Sequence, residues 1–359
     1  KPKNIVVIIL ESFGLEYMGE IANGRPGYTP FLDSLAAKSL FFKNAFANGK
    51  RSIEVMPSVM AAFPSLLDEP FLQSTSQDLR LHGLPELLKP EGFKSYFFHG
   101  AHNGSMFFDS FATRMGFDKY FGLNEYPHKE RDSDKSWGIL DEPYLQYFAQ
   151  QLTAEPGPFL GVVFTLSSHQ PYPVPANMKD QFPDGTLAIH ESIGYTDYAL
   201  KKFFETAEQQ PWFKDTLFIL TADHTQLNAD PKYLNFLGRY RVPLLLYKQG
   251  QDWSSFNDDK IVEHADITPT ITDILQIKNQ NKNYVASSVL HRDKRGFVIN
   301  RDSKGFWYYD GECLMWILAD GRDQLESGPE ACREEPLRFF KAYVQNFTER
   351  VKLDKWAEL

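Results

Sequence analysis

Five short runs along the chain are apolar at nearly every position rather than at every second one: 4–10, 94–98, 159–166, 216–221 and 242–247. A strand with one face in water alternates, so continuous runs of this length predict strands covered on both faces. Stretches of helical period lie between them. Thr29-Pro30 followed by Phe31, Leu32 and Leu35 reads as a cap, a proline at the first helical position and an apolar face. Residues 195–204 and 267–275 also predict helices. Strands alternating with helices predict an α/β fold with a mainly parallel, doubly wound sheet flanked by helices.

Past about residue 285 the texture changes. Short antiparallel strands are predicted at 296–300, 305–309 and 313–318, joined by Asp/Gly turns. A last helix is predicted from Pro336, with Phe340, Val344, Phe347 and Val351 on one face. The expected division is a catalytic domain over 1–285 and a small C-terminal α+β subdomain over 286–359, a natural arrangement for 359 residues.

Composition narrows the function classes. A net charge of −9 with no basic run excludes a phosphate-backbone-binding face, so no nucleic acid is expected as partner. It also gives no electrostatic pull toward an anionic membrane. No apolar run approaches the ~20 residues of a membrane helix. The chain opens abruptly at Lys1-Pro2-Lys3, directly before a strand, and reads as a piece of a longer protein whose targeting segments lie elsewhere. Aromatics reach 15%, enough for an aromatic core with some rings left to line a site for a sugar or lipid headgroup. Cys313 and Cys332 are compatible with a disulfide outside the cytoplasm or with two free thiols inside it.

The ends of the predicted strands carry the chemistry. The first run finishes at Glu11, the second at His99, the third at Ser167-Ser168-His169 and the fourth at Asp223-His224. Open α/β sheets build their sites beyond the carboxyl ends of their strands. Glu11 alone is equally a solvated strand end or a helix cap, and Asp223-His224 alone is equally a turn. A carboxylate beside an imidazole at a strand end nevertheless presents two metal ligands together, a donor set that suits Mn²⁺ or Zn²⁺ and Mg²⁺ less well. Ser52 lies in Asn48-Gly-Lys-Arg-Ser52, where a glycine, two cations (Lys50, Arg51) and a hydroxyl make either a phosphate-binding turn with a nucleophile or an ordinary loop with a serine cap. Pro57 leaves open a helix beginning there instead. His99, His102, Asn103 and Asp109 share a polar, aromatic stretch suited to contacting substrate. His264 reads as a cap of the helix after it, with a second ion site as the alternative.

With these residues in hand, the chain resembles the sulfatase-like branch of the alkaline phosphatase superfamily, and within it the catalytic domains of lipoteichoic acid synthases and related phosphoglycerol transferases. The matching pieces run in family order. They are residues 4–13, Tyr28-Thr-Pro-Phe-Leu-Asp33, Asn48-Gly-Lys-Arg-Ser52, Trp137-Gly-Ile-Leu-Asp141, Thr165-Leu-Ser-Ser-His169, Tyr195-Thr-Asp-Tyr198, Thr221-Ala-Asp-His224, Val242-Pro243 and Asp266-Ile-Thr-Pro-Thr270. The resemblance implies Glu11, Asp223 and His224 as metal ligands, Ser52 as nucleophile and fourth ligand, and His169 on the substrate phosphate. It also implies N-terminal membrane helices and an extracytoplasmic site of action.

Two departures shape the expected activity. The Cys/Ser-x-Pro-x-Arg signature of true sulfatases is absent around Ser52, which argues against sulfate-ester hydrolysis. The aromatic-Asn-Arg segment with which lipoteichoic acid synthases hold glycerol phosphate has no clean counterpart, and Phe107-Phe-Asp-Ser110 lies nearby instead. The expectation is a metal-dependent transferase, with Mn²⁺ ahead of Zn²⁺ and Mg²⁺. It would move a phospho-headgroup from a phospholipid donor to a glycan or polymer hydroxyl through phospho-Ser52, with Lys50 and Arg51 at the phosphoryl group. The alternative is a phosphodiesterase or phosphatase with water as acceptor.

Overall fold

In the structure, a computed structural model, residues 1–277, 285–291 and 296–356 are described. The strands in chain order are β1 (Asn4–Leu10), β2 (Leu40–Phe42), β3 (Ala45–Phe46), β4 (Lys94–His99), β5 (Lys119–Phe121), β6 (Phe159–Phe164) and β7 (Thr216–Ala222). They continue with β8 (Leu244–Tyr247), β9 (Val262–Glu263), β10 (Val298–Asp302), β11 (Gly305–Tyr309), β12 (Leu314–Leu318) and β13 (Asp323–Ser327). Seven form one sheet in the order β2-β8-β7-β1-β6-β4-β5. From β7 to β5 the neighbours are parallel, while β8 runs against β7 and β2 against β8. The five apolar runs are five of these strands. The two not anticipated, β2 and β5, are three-residue edge strands, too short to show a periodicity.

Both faces of the sheet are covered, which is why its strands read as unbroken apolar runs. Along β1, Ile5, Val7 and Ile9 point into one core and Val6, Ile8 and Leu10 into the other. Helices Pro30–Ala36, Asp141–Thr153 and His190–Ala207 contribute to the second core, and Ser52–Ala61 and Ile267–Ile274 to the first. The first core also takes in Ile299, Met315, Phe340 and Phe347 of the C-terminal elements. There β10–β13 form an antiparallel sheet in sequence order, followed by the helix Glu335–Lys352. Cys313 and Cys332 are joined as a disulfide, resolving the choice that the sequence left open. Among the described residues no helix is long and apolar enough to cross a membrane.

The register of the central strands positions the site. Leu10 lies opposite Ala222 on the parallel pair β1 and β7, so Glu11 and Asp223 leave the sheet side by side. On the other side of β1, Ile9 pairs with Phe164, and Phe164 pairs with His99 of β4. Four strand ends therefore deliver their polar residues along one edge.

Candidate metal centre

The chain turns sharply as it leaves β1, with Ser12 in the left-handed region at φ 56°. That turn folds Ser12 back on both acids. Its backbone N–H donates to Asp223 Oδ1 at 2.7 Å and its hydroxyl to Glu11 Oε1 at 2.6 Å. Asp223 Oδ1 also accepts from the His224 backbone N–H at 2.6 Å. The Glu11 backbone is pinned by the segment that follows β6: its N–H donates to Thr165 Oγ1 at 2.9 Å, and its carbonyl accepts from the Ser168 hydroxyl.

Ser52 arrives from a different part of the chain, as the first residue of the helix Ser52–Ala61, with Arg51 as its cap residue. The helix does not wait for Pro57, which lies inside it, and Ser52 is not the cap. Glu54 fixes the approach to it. Its Oε2 accepts from the backbone N–H groups of Lys50 and Arg51, at 2.8 and 3.0 Å, and its Oε1 from the Arg51 guanidinium. Gly49 is required here, with φ at +118° and room for a Cβ only 2.5 Å from Glu54 Oε2. Behind the loop, Asn48 Nδ2 donates to Glu263 Oε2 and its Oδ1 accepts from the Ala265 N–H, both at 3.0 Å. Glu263 Oε2 also accepts from the Ile299 N–H, and Asn300 Nδ2 donates to the Ala47 carbonyl. The first strand of the C-terminal sheet thereby braces the loop that carries Ser52.

Glu11, Ser52, Asp223 and His224 come together, all buried. Ser52 Oγ lies 3.1 Å from Glu11 Oε2 and 3.3 Å from His224 Nε2. His224 Nε2 lies 3.3 Å from Asp223 Oδ2, an oxygen with no hydrogen-bond partner among the described residues. One ligand atom from each of Glu11, Asp223 and His224 falls within 4.8 Å of the others. Two buried carboxylates this close oppose each other's ionisation. Burial, and then the charge of Asp223, push Glu11 up to about 7, and burial pushes Asp223 up to about 6. Two carboxylates, an imidazole and a hydroxyl oxygen, with one buried carboxylate oxygen unpartnered, fit a divalent cation: it would satisfy the orphan oxygen and relieve the repulsion.

The other expected residues fall around this group. His169 is half-buried after β6, its Nδ1 2.8 Å from the Gln170 carbonyl and its ring 4.6 Å from that of Trp137. Lys50 Nζ lies 4.7 Å from the centre of the Tyr240 ring, and burial lowers its proton affinity. His102 is exposed; Asn103 bonds Glu125 and the Asn124 N–H, and Asp109 accepts from the Ser110 N–H. None of these three is hydrogen-bonded, among the described residues, to the Glu11–Ser52–Asp223–His224 group. His99 is wedged between Phe108 and Phe164 with both ring nitrogens unpartnered among the described residues, and burial lowers its pKa to about 3, so it stays neutral. His264 does not cap the helix after it; its Nδ1 accepts from the Asn48 N–H at 3.2 Å.

Sequence reading missed the residues that hold the ligands in place: Ser12, Thr165 and Ser168 on Glu11 and Asp223, and Asn48 behind Ser52. It also gave no role to Asp141, whose Oδ1 accepts from the Leu166 and Ser167 N–H groups and orients the segment that leads to His169. All of these lay within the quoted motifs, but hydrogen-bond partners distant in the chain leave no local pattern.

A family model described as Sulfatase matches residues 3–277. The lipoteichoic acid synthase-like protein YvgJ of Bacillus subtilis (strain 168) is 24% identical over 84% of this chain and 52% of its own length. Phosphoglycerol transferase I of Escherichia coli (strain SMS-3-5 / SECEC) is 26% identical over 65% of this chain and 32% of its own. The chain thus spans about half or less of these curated relatives. Among solved structures, an alkaline phosphatase superfamily protein from Vibrio parahaemolyticus superposes with a TM-score of 0.84 at 22% identity, covering 100% of this chain and 89% of that one. The lipoteichoic acid synthase LtaP from Listeria monocytogenes gives 0.79 at 18%, covering 97% and 92%. The C-terminal periplasmic domain of EcEptC from Escherichia coli, solved in complex with Zn, gives 0.62 at 17%, covering 84% and 90%.

Proposed function

This chain belongs to the sulfatase family, and from that premise we propose that it is a metal-dependent transferase acting through Ser52. It moves phosphoglycerol, or a related phospho-headgroup, from a phospholipid to a glycan or polymer hydroxyl. The observation that carries the reading is the Ser52 hydroxyl at 3.1 and 3.3 Å from Glu11 and His224, beside the unpartnered oxygen of Asp223. The names of the relatives support phosphoglycerol transfer over sulfate chemistry, as does the missing sulfatase signature around Ser52.

Glu11, Asp223, His224 and Ser52 Oγ would hold one divalent ion, Mn²⁺ ahead of Zn²⁺ or Mg²⁺, which supplies Lewis-acid stabilisation of phosphoryl charge and lowers the proton affinity of the serine hydroxyl. Ser52 attacks phosphorus: the Oγ–P bond forms, the bond to the diacylglycerol oxygen breaks, and that oxygen leaves protonated. The acceptor hydroxyl then attacks the same phosphorus, the Oγ–P bond breaks, and Ser52 recovers its proton. His169 faces the phosphoryl oxygens, Lys50 and Arg51 add positive charge beside the serine, and His102, Asn103 and Asp109 serve the donor headgroup.

We read residues 1–285 as the catalytic unit and 286–359 as the subdomain that braces it. The Cys313–Cys332 disulfide favours an oxidising, extracytoplasmic setting, with membrane attachment through a segment outside this sequence. The test is incubation of the manganese-loaded protein with phosphatidylglycerol vesicles. Diacylglycerol should be released and a phosphoglycerol adduct should appear on Ser52 by mass spectrometry, and Ser52→Ala should abolish both with its circular dichroism unchanged. Turnover retained by Ser52→Ala overturns the reading. Product formed equally with and without added glycans assigns water as the acceptor.

A further inference from the structure

Trp137 is a large aromatic that the fold holds firmly yet leaves open, at 44% exposure. Its indole N–H donates to the Gln170 carbonyl at 2.7 Å, and its ring meets that of His169 edge-on, 4.6 Å between centres. Its backbone is fixed as well. Asp134 Oδ1 accepts from the N–H groups of Ser136, Trp137 and Gly138, at 2.7, 2.7 and 2.9 Å. The turn is then sewn to the end of β4 by the Ala101–Gly138 bridge and by the Ile139 N–H donating to the Gly100 carbonyl at 3.0 Å. Gly138 is obligatory for that approach, because a Cβ there would lie 2.1 Å from the Gly100 oxygen.

The segment is thus tied to the chain just past His99 on one side and just past His169 on the other, and it offers an indole to solvent between them. Burying such a ring would stabilise the protein, and a mobile exposed ring would be unremarkable; a rigid, exposed one against His169 is arranged for a ligand. Its recorded partners are polar: the Gln170 carbonyl, the His169 imidazole and, on its backbone, Asp134. An acyl chain needs a continuous apolar groove, which these residues do not supply. A sugar ring has one face of C–H bonds and a rim of hydroxyls, and matches a flat aromatic bordered by hydrogen-bonding groups.

Resting on the transferase reading above, we propose that Trp137 is the acceptor platform, stacking a neutral sugar ring of the glycan while its hydroxyl approaches the phosphoryl group near His169. The test uses the whole chain carrying Ser52→Ala, titrated with neutral oligosaccharides of glucose, galactose and N-acetylglucosamine and followed by intrinsic fluorescence and calorimetry. At least one should bind saturably. Trp137→Ala should weaken it about 10-fold or more, while Trp137→Phe keeps most of the affinity. With Ser52 restored, Trp137→Ala should raise the acceptor KM far more than the donor KM. Binding indifferent to Trp137, or no saturable binding of any of these sugars, overturns the platform. Diacylglycerol release and the Ser52 adduct are scored separately, so a wild type lacking both fails the transferase reading, whereas a wild type showing both with Trp137 irrelevant fails only the platform.

Discussion

Two pairs of buried carboxylates differ in what their oxygens find. Asp141 and Asp197 lie on the helices Asp141–Thr153 and His190–Ala207 and are filled by donors. Asp141 accepts from the Leu166 and Ser167 N–H groups and the Thr196 hydroxyl, and Asp197 from the N–H groups of Phe31 and Leu32. Glu11 and Asp223, at the strand ends, also take donors, from Ser12, Ser52 and the His224 N–H, but they face one another across a single imidazole, and among the described residues Asp223 Oδ2 has no hydrogen-bond partner. Burial raises the pKa of all four, so a perturbed pKa does not separate them. Unfilled acceptor capacity aimed at a shared point does. Glu263 Oε1 and Asp134 Oδ2 are unpartnered as well, so an empty acceptor alone is no mark of a site; its convergence with a second acid, an imidazole and a hydroxyl is.

The largest effects should come from replacing the two acids that converge on the proposed ion. Glu11→Gln and Asp223→Asn should each lower turnover by about 10³-fold or more and abolish stoichiometric Mn²⁺ binding by calorimetry. The metal-free variants should melt no lower than the metal-free wild type, because each substitution removes one of two opposed charges. A clear fall in the metal-free melting temperature would break the distinction between the two pairs.

Asp141→Ala should do the reverse. It strands two backbone N–H groups and a threonine hydroxyl in the interior, at a cost of roughly 2–4 kcal/mol in chemical denaturation. Mn²⁺ affinity should move by less than about 10-fold, since Asp141 touches none of the proposed ligands.

Removing the metal exposes the same contrast through pH. In the metal-free fold, Glu11 and Asp223 titrate near 7 and 6, above the ordinary carboxylate range that applies once unfolded. The folded state then binds more protons than the unfolded one between about pH 4 and 7, so this contribution to stability is full below that window and is lost as pH rises through it. Read as the difference between wild type and Glu11→Gln, the loss should be on the order of 2 kcal/mol and should disappear in saturating Mn²⁺. A difference that is flat with pH would show that the two acids do not oppose one another.

The same contrast explains what could be seen in the sequence. The unbroken apolar runs announced strands covered on both faces, and the ends of two of those runs announced the meeting of Glu11 with Asp223-His224, because strand register turns sequence position directly into spatial position. Ser52 was visible through its glycine and cations, although its place at the head of a helix with Pro57 inside was not. The partners that brace the ligands stayed hidden. Thr165 reaches Glu11 across 154 positions and Glu263 reaches Asn48 across 215, and a hydrogen bond between distant segments imposes no period on either. His99 shows the opposite hazard. It ends a strand as the others do, yet it is packed between rings as a neutral side chain.

The smallest expected effect concerns Arg51, and it sharpens where the line between structure and chemistry falls. Its guanidinium meets Glu54 Oε1 at 2.7 Å, but its side chain is 58% exposed, and the turn before Ser52 is held mainly by the other oxygen of Glu54 through two backbone N–H groups. An exposed pair of this kind is worth about 0.5 kcal/mol, so Arg51→Ala should barely change stability. If its charge only draws the anionic donor toward Ser52, donor KM should rise a few-fold, with kcat kept and the difference shrinking as salt is added. A fall in kcat of about 100-fold that salt does not modify would mean that the guanidinium leaves Glu54 to hold the phosphoryl group as it transfers. Glu54 would then keep the loop in place without it, and Arg51 would belong with Glu11 and Asp223 rather than with the satisfied acids.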